Sequence, residues 1–505
     1  MRHFGTLLPL AALALGLLVS PAAALAQNLV VQSATEPPGL DLTATPASAT
    51  AVVVFYNVQE SLVKVDRHGK IVPWLAERWH TSDNKNYTFF LKRGVRFHNG
   101  RELRAADVKF VIDRAMNPET KHPYPDYYAA IGDIIVKDDY TITVTLKGIT
   151  ANFLLNMARQ GSVVYPREAV DTLKSEPIGT GPFKLAEWVR GDRIVLVRNP
   201  DYHVKGLPKL DRVTYRFIPD PNAALAALKA GDIDAAMFGL GPEHVPELQK
   251  DARFQVIIGE TTNDVIMSMN NSRKPYSDVR VRRAITHGIN KPEVVKGAMF
   301  GLGSVLGTNV DPLNPYFVDM SGAIPYDPGK AKKLLAEAGY PNGFELELHG
   351  SSSPVIGRWL EGFQRYLADV GIRGKIVQQD FGVMLDRASK GEIPTWTLSH
   401  GGGPNCVNYL GPFRSRNFGA PGNRMRYKND RVDALIDEAE RTFNTQRQVQ
   451  LCREAERLIV ADAPWFFFNY NKAVLVHQPN VHGLVGNPVE MDYQPMHKVW
   501  IQPRR

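Results

Sequence analysis

Apolar and polar residues alternate in short segments of the N-terminal half of the chain, which is the pattern of half-buried β-strands. The predicted strands cover residues 87–91, 134–136, 140–146, 193–197 and 212–218. Two helices are predicted among them, at 104–116 and 222–230, because apolar residues there recur with the period of a helix face. Gly231 follows the second helix and is the residue type that most often ends one.

The C-terminal half alternates helices and strands, which favours an α/β arrangement. Predicted helices cover 278–289, 328–339, 359–370, 431–442 and 446–460, and predicted strands cover 344–348, 375–377 and 395–399. Asp327 and Pro328 match a helix N-cap followed by proline at the first helical position. The glycine-rich stretch 301–307 has the wrong spacing for a phosphate-binding loop and is predicted to be a flexible loop.

The N-terminus has the pattern of a secretory signal peptide. Arg2 is the single Lys, Arg, Asp or Glu in the first 26 residues, and an apolar stretch follows at 7–19. The small-residue site Ala24-Leu25-Ala26 predicts cleavage after Ala26 and export to the periplasm. The alternative, a membrane anchor, is disfavoured by Pro21 and by the cleavage pattern.

Composition excludes several classes of protein. The 505 residues are enough for about three domains. The values of 44% hydrophobic and 22% charged residues are those of globular proteins, not of disordered or multi-span membrane chains. The net charge is +8, but no basic face or reader motif for nucleic acids is present.

Two cysteines, Cys406 and Cys452, leave two alternatives open. In an exported protein they can form a disulfide. Cys452 also belongs to a helical apolar stripe over 449–459, which is equally consistent with a buried free thiol.

The catalytic motifs that identify common enzyme classes are absent from the sequence. It contains no G-x-S-x-G elbow, no H-E-x-x-H and no Walker A motif. Its 13 histidines are scattered, so neither a metal site nor a cofactor is predicted. The sequence therefore contains none of these signatures of an enzyme.

Several segments, taken in order, carry a resemblance to a known family. They are 73–79, 87–89, 93–100, 106–110, 178–183, 199–202, 230–234, 278–284 and 331–340. In these segments the chain resembles family 5 extracellular solute-binding proteins, the dipeptide, oligopeptide and nickel class of ABC-importer receptors. The motifs identify the scaffold and do not define the site.

The resemblance implies a two-lobed α/β fold of the periplasmic-binding-protein type II, in its large three-part variant. The implied divisions are lobe I at 27–46, 170–262 and 480–505, a subdomain attached to lobe I at 47–169, and lobe II at 263–479. Two crossing strands, near Thr262 and near His477, are expected to form a hinge about which the lobes close.

The resemblance also implies a function. A receptor of this class captures a peptide or peptide-like solute between its lobes and delivers it to permease subunits in the inner membrane, whose ATPase is a separate chain. We expect a monomer without cofactor, nucleic-acid partner or chemistry of its own. The alternatives are a secreted hydrolase without a recognisable motif, and a receptor for an opine, a sugar acid or a metal chelate.

Several ligand-binding residues follow from the same resemblance. Arg358 lies early in the helix after the 344–348 strand, where some dipeptide-binding relatives bind a carboxylate. A guanidinium at a helix N-terminus suits an anion. Tyr124, Tyr127 and Tyr470 fall near ligand-lining positions of the family, with core packing as the alternative for each.

The segment from His400 to Asn405 corresponds to a W-x-x-D-like pattern whose Asp binds the α-ammonium of peptides in relatives. Gly403 takes the position of that Asp. Residues 393–429 contain no Asp or Glu but several basic residues, Arg414 among them. We therefore expect peptides with a free α-amino group to bind weakly, unless an acid from outside this stretch replaces the missing one. The candidates are Asp380, Asp386 and Asp430.

Overall fold

A computed structural model describes residues 27–66, 69–312, 314, 316–401, 406–419, 422–485 and 495–502. The predicted signal peptide, Gly403 and Asn405 lie outside these residues. None of the helices in the described part of the chain combines the length and apolarity that crossing a membrane requires.

Helices and strands alternate along the described chain. The α-helices are α1 (Ser48–Val54), α2 (Ala105–Met116), α3 (Phe153–Asn156), α4 (Pro221–Ala230), α5 (Val245–Leu248), α6 (Val279–Gly288), α7 (Lys291–Met299), α8 (Pro328–Glu337), α9 (Pro354–Ala368), α10 (Phe381–Lys390), α11 (Cys406–Leu410), α12 (Asp430–Arg441) and α13 (Thr445–Asp462). The strands are β1 (Asn28–Ser33), β2 (Glu60–Ser61), β3 (Val63–Val65), β4 (Ile71–Pro73), β5 (Ala76–His80), β6 (Asn86–Leu91), β7 (Ile131–Asp138), β8 (Thr141–Leu146), β9 (Val163–Val164), β10 (Phe183–Val189), β11 (Arg193–Arg198), β12 (Arg212–Phe217), β13 (Ala235–Phe238), β14 (Gln255–Met269), β15 (Gly303–Val305), β16 (Glu345–Ser351), β17 (Arg373–Gln379), β18 (Thr395–Gly401), β19 (Trp465–His477), β20 (Val481–His482) and β21 (Trp500–Ile501).

Several helices begin at the side chains that the sequence indicated. Asp327 accepts a hydrogen bond from the backbone N–H of Lys330 at 2.8 Å and caps α8. Asp220 caps α4 in the same way, and α4 ends at Gly231, whose φ of 83° suits glycine. These local signals explain why the predicted helix boundaries agree closely with the observed ones.

The largest sheet has 11 strands in the order β10-β11-β12-β1-β13-β19-β14-β18-β16-β17, with β15 paired to β19. We call β10, β11, β12, β1 and β13 the first half of the sheet, and β15, β18, β16 and β17 the second half. The long strands β14 and β19 run through both halves. A separate antiparallel sheet has the order β5-β6-β8-β7 and contains the predicted pairing of β7 with β8.

A bulge divides the ladder between β14 and β19. Residues 255–260 pair with 472–477 on one side, and Asp264 resumes the pairing opposite Tyr470 on the other. Within the bulge, the Thr261 hydroxyl donates to the backbone carbonyl of Asn471 at 2.7 Å. We call this segment, 261–263 opposite Asn471, the crossing bulge.

The hydrophobic core is divided at the crossing bulge into separate clusters. Two hydrophobic clusters draw their members from residues 29–257 and 473–501. Two others draw theirs from residues 265–470. Each half of the sheet therefore has its own core, while the predicted lobe and subdomain boundaries stay predictions.

One buried carboxylate in the first of these cores is fully hydrogen-bonded. Glu60 on β2 accepts hydrogen bonds from Trp74 at 2.8 Å, Thr180 at 2.7 Å, Tyr202 at 2.9 Å and His203 at 3.0 Å. Burial alone would raise the pKa of Glu60, but attraction to His203 and the hydrogen bonds outweigh it and lower the pKa. Glu60 thus ties together three separate segments of the chain.

Two expectations from the sequence need correction. The stretch 301–307 is not entirely loop, because its residues Gly303–Val305 form β15 on the edge of β19. Gly303 permits this close approach, since a Cβ there would lie 2.8 Å from the Asn469 side-chain nitrogen. The free-thiol alternative is also wrong: Cys406 and Cys452 form a disulfide that joins α11 to α13, with their Cα atoms 6.1 Å apart.

Candidate functional site

Four polar side chains lie in one row across the second half of the sheet, directly beside the crossing bulge. Ser304 on β15 pairs with Tyr470 on β19, Tyr470 pairs with Asp264 on β14, and Asp264 pairs with His400 on β18. Residues directly opposite each other on neighbouring strands point to the same face of a sheet. We call these four residues the polar row.

Asp264 is the buried acid of the polar row. It is completely buried, and neither of its carboxylate oxygens has a hydrogen-bond partner among the described residues. Nδ1 of His400 lies 3.2 Å from Oδ1 of Asp264, within ion-pair distance but out of hydrogen-bond alignment. Burial raises the pKa of Asp264 above its ordinary value, and the neighbouring His400 only partly offsets this.

Tyr470 stands beside Asp264 and is 1% exposed. Its hydroxyl also lacks a hydrogen-bond partner within the described structure. Burial, together with the nearby Asp264, Tyr409 and Asp311, raises the pKa of Tyr470. Asp311 differs from Asp264 because it accepts a hydrogen bond from the hydroxyl of Tyr409.

His400 is a partly exposed end of the polar row. Its side chain is 24% exposed, against 0% for Asp264. Its ring lies edge-on to Trp465, with the ring centroids 5.4 Å apart. In the part of the chain that the structure describes, no group of three or more His, Cys, Asp or Glu side chains is placed to hold a metal ion. The row is therefore a site of hydrogen-bonding and charged groups.

Arg358 makes a second polar contact, between the two halves of the sheet. It lies near the start of α9, which packs on β16 and β17. Its Nη2 is 3.5 Å from Oε2 of Glu243, which belongs to a short helical turn after β13 in the first half. About a third of each side chain is exposed, and Nε of Arg358 is buried without a hydrogen-bond partner among the described residues.

The predicted pair Tyr124 and Tyr127 lies within the segment 47–169. Their rings stack with centroids 4.8 Å apart, and the Gln160 side chain donates a hydrogen bond to the Tyr124 hydroxyl. Burial raises the pKa of Tyr127 to about 12. Tyr127 belongs to the first hydrophobic core, so core packing accounts for it, and a ligand contact by Tyr124 stays a prediction.

Arg414 is engaged by carboxylates of its own half of the molecule. Its Nη2 lies 2.8 Å from Glu440 and 3.2 Å from Asp437, both on α12, and its side chain is 6% exposed. These contacts compensate its charge and support a structural role. A ligand-binding role for Arg414 stays a prediction.

Comparison with known proteins shows the family to which the chain belongs. Residues 70–419 match the model of the bacterial extracellular solute-binding proteins, family 5. The chain belongs to this family. Its fold is the two-lobed α/β fold of periplasmic binding proteins.

Individual relatives of this solute-binding protein are similar over most of their length. A glutathione-binding protein of Salmonella choleraesuis is 31% identical over 440 residues, which are 84% of this chain and 85% of the relative. The structure of a periplasmic binding protein from Helicobacter pylori in complex with the peptide STSA has a TM-score of 0.86 and 27% identity, and the match covers 94% of this chain and 98% of that one. A binding protein from A. tumefacien R10 in complex with agropinic acid has a TM-score of 0.85 and 25% identity, over 95% and 99% of the two chains.

Sequence reasoning missed Asp264 in this solute-binding protein. It considered the acid-free stretch 393–429 and its flanks, whereas Asp264 belongs to β14 and reaches His400 only through the pairing with β18. A signal was present, because Asp264 is the one charged residue in the apolar run 264–269. A charge within such a strand is unfavourable unless it has a partner or a function.

Proposed function

We propose that this chain is the substrate-binding receptor of an ABC importer for a peptide or peptide-like solute. It captures the solute between its lobes and delivers it, as a monomer and without chemical conversion, to a permease in the inner membrane with a separate ATPase. The signal-peptide pattern of residues 1–26 supports export to the periplasm. Membership of family 5 supports the transport role.

The observation that carries this proposal is the position of Arg358. Its guanidinium faces a residue of the opposite half of the sheet, Glu243, in a contact that is long for an ion pair and partly exposed. Side chains of a helix lean toward its N-terminus, so Arg358 adds its charge to the unpaired N–H groups of the first turn of α9. This combination suits a ligand carboxylate that takes the place of Glu243.

The known ligands of the relatives agree with such an anchor. Glutathione, the peptide STSA and agropinic acid are named for the proteins to which this chain is similar. All three compounds contain carboxylates. We propose that Arg358 binds a carboxylate of the solute and that the lobes close about the crossing bulge.

Calorimetric titration with glutathione and with the tetrapeptide Ser-Thr-Ser-Ala tests this function. We expect one of them to bind, and Arg358→Ala to weaken it by about 1.5–3 kcal/mol, the range for a hydrogen bond to a charged group. Arg365→Ala is the matched control, because Arg365 lies on the same helix and its guanidinium lies 5.8 Å from the Tyr366 ring.

Three results would contradict the proposal. Conversion of the bound compound, detected by mass spectrometry, would indicate an enzyme. Unchanged affinity in Arg358→Ala would remove Arg358 from the site. Failure of peptides, glutathione and agropinic acid to raise the melting temperature would exclude this class of ligand.

A further inference from the structure

Asp264 is a completely buried carboxylate that accepts no hydrogen bond from the described side chains. Neither oxygen has a donor among the described residues, and the neighbouring Tyr470 hydroxyl is likewise unpaired. An unpaired charge in a protein interior is strongly unfavourable, so such groups are ordinarily neutralised or paired. Among the described residues, the polar row therefore leaves the carboxylate oxygens of Asp264 without a donor in hydrogen-bond alignment.

The charges around Asp264 favour a cation. Asp311 and Glu456 are both buried and both act on Tyr470, the neighbour of Asp264 in the row. Glu456 on α13 has two unpaired oxygens among the described residues. Several carboxylates in a region of low dielectric constant create a negative potential that attracts positively charged groups.

His400 is the partly exposed neighbour of the buried Asp264. It is the basic side chain recorded beside Asp264 in the described structure, at 3.2 Å, and it is the partly exposed member of the pair. The Nδ1 atom of His400 makes no hydrogen bond with the described residues, so rotation of the imidazole breaks no hydrogen bond of that atom. A ligand group that enters from the side of His400 replaces the contact of His400 with Asp264 and displaces its ring from Trp465.

We infer that Asp264, with Tyr470 beside it and His400 as its partly exposed neighbour, is the subsite for an ammonium group of the ligand. The inference rests on the proposed function as a receptor for peptide-like solutes, and it extends that function by naming the second charged anchor. An ammonium offers three donors, which match the two oxygens of Asp264 and the hydroxyl oxygen of Tyr470.

This subsite reverses an expectation from the sequence. Gly403 in place of an acid predicted weak binding of peptides with a free amino group. Asp264 supplies a buried acid from the neighbouring strand, directly opposite His400. Peptides with a free amino group are therefore the favoured ligands.

The test compares Ser-Thr-Ser-Ala with its N-acetylated form by calorimetry. The wild-type protein should bind the free peptide at least tenfold more tightly. Asp264→Asn should reduce this preference to less than about twofold, because an amide cannot neutralise an ammonium. Asp107→Asn is the control: it makes the same change at a buried carboxylate of α2, where Arg101 pairs with it, and it should keep the preference.

A second readout measures the protons that are released when the ligand binds. Burial raises the pKa of Asp264 and an incoming ammonium should lower it again, so binding should release protons to the extent that the carboxyl is protonated at the pH of the titration. Titrations at one pH in buffers of different ionisation enthalpy should show more proton release for wild type than for Asp264→Asn. His400, Tyr470, Tyr409, Asp311 and Glu456 are the other titratable groups that act on the row, and they are the same in both proteins.

Each outcome decides the inference. Equal affinity of the free and acetylated peptides for the wild type overturns it and leaves the proposed function standing. A preference that survives in Asp264→Asn also overturns it, since the acid must then lie elsewhere. If neither peptide binds the wild type, the proposed peptide receptor and this subsite fail together. If Asp264→Asn does not fold, the comparison of the free and acetylated peptides on the wild-type protein decides the inference by itself.

Discussion

Glu60 and Asp264 are both completely buried carboxylates, yet their surroundings are opposite. Glu60, in the first half of the molecule, accepts four hydrogen bonds, and its pKa is lowered. Asp264, in the second half, accepts none from the described side chains, and its pKa is raised. Burial is therefore not what distinguishes a structural acid from a functional one. The distinction lies in whether the protein itself provides the donors.

The origin of the donors around Glu60 is instructive. Trp74, Thr180 and Tyr202 belong to three of the segments through which the sequence resembles its family. Those motifs meet at one carboxylate and hold the scaffold together. None of these three residues belongs to the polar row. Motifs of this kind therefore identify the family but do not identify the ligand.

Loss of the charge at Glu60 should cause the largest change in the free energy of unfolding. Glu60→Gln removes one partner of a buried ion pair with His203 and should destabilise the protein by about 3–5 kcal/mol. Urea unfolding followed by circular dichroism measures this. A loss below about 1 kcal/mol would mean that the four hydrogen bonds of Glu60 do not stabilise the fold, and the comparison with Asp264 would collapse.

A matched pair of tyrosine variants tests the donors. Tyr202→Phe removes a hydrogen bond to the Glu60 carboxylate and should cost about 1.5–3 kcal/mol. Tyr470→Phe removes a hydroxyl without a hydrogen-bond partner among the described residues and should leave the stability of the unliganded protein nearly unchanged. Equal losses in the same unfolding experiment would show that Tyr470 has a structural role.

Removal of the charge at Asp264 should change the free energy of unfolding in the opposite direction to Glu60→Gln. We expect Asp264→Asn to stabilise the unliganded protein at neutral pH, because burial disfavours the ionised carboxylate of Asp264 and raises its pKa. The melting temperature in the absence of ligand should rise. A clear decrease would indicate that the carboxylate is already paired in the resting protein.

The pH dependence of stability should separate the two acids. Glu60 has a pKa below 4.5, so its contribution is present at neutral pH and is lost as the pH falls through that lowered pKa. Asp264 has a pKa above 3.8, so its stabilising contribution is full below 3.8 and is lost as the pH rises through the raised pKa.

The smallest expected effect is the change with pH in the difference between wild type and Asp264→Asn. Their free energies of unfolding should converge as the pH is lowered from 7 toward 4. Glu456, whose pKa is also raised, is present in both proteins and cancels. A difference that is constant over this range would show that Asp264 does not titrate as inferred.

Local patterns in the sequence were sufficient for most of the fold. Caps such as Asp327 and Gly231 and the alternation over β6 and β8 are properties of a few consecutive residues, so they can be recognised without tertiary contacts. The strand β15 was missed because it exists only as an edge on β19.

The candidate site was less predictable for the same physical reason. Arg358 was predicted through the resemblance, and His400 through its place in a loop pattern; both stay predictions. Asp264 depends on the register of β14 against both β18 and β19, which is set over more than a hundred residues of separation. The disulfide likewise depends on the packing of α11 against α13, and the sequence left both states of the thiols open.

The position of Asp264 beside the crossing bulge affects its movement during ligand capture. In a rotation, points near the axis move least, so a nitrogen held by Asp264 remains bound while the lobes swing about the proposed hinge. The contact between Glu243 and Arg358 joins opposite halves and must break when they separate. Because Asp264 and Arg358 both belong to the second half, we expect opening to expose both to a solute and closure to follow once both are occupied.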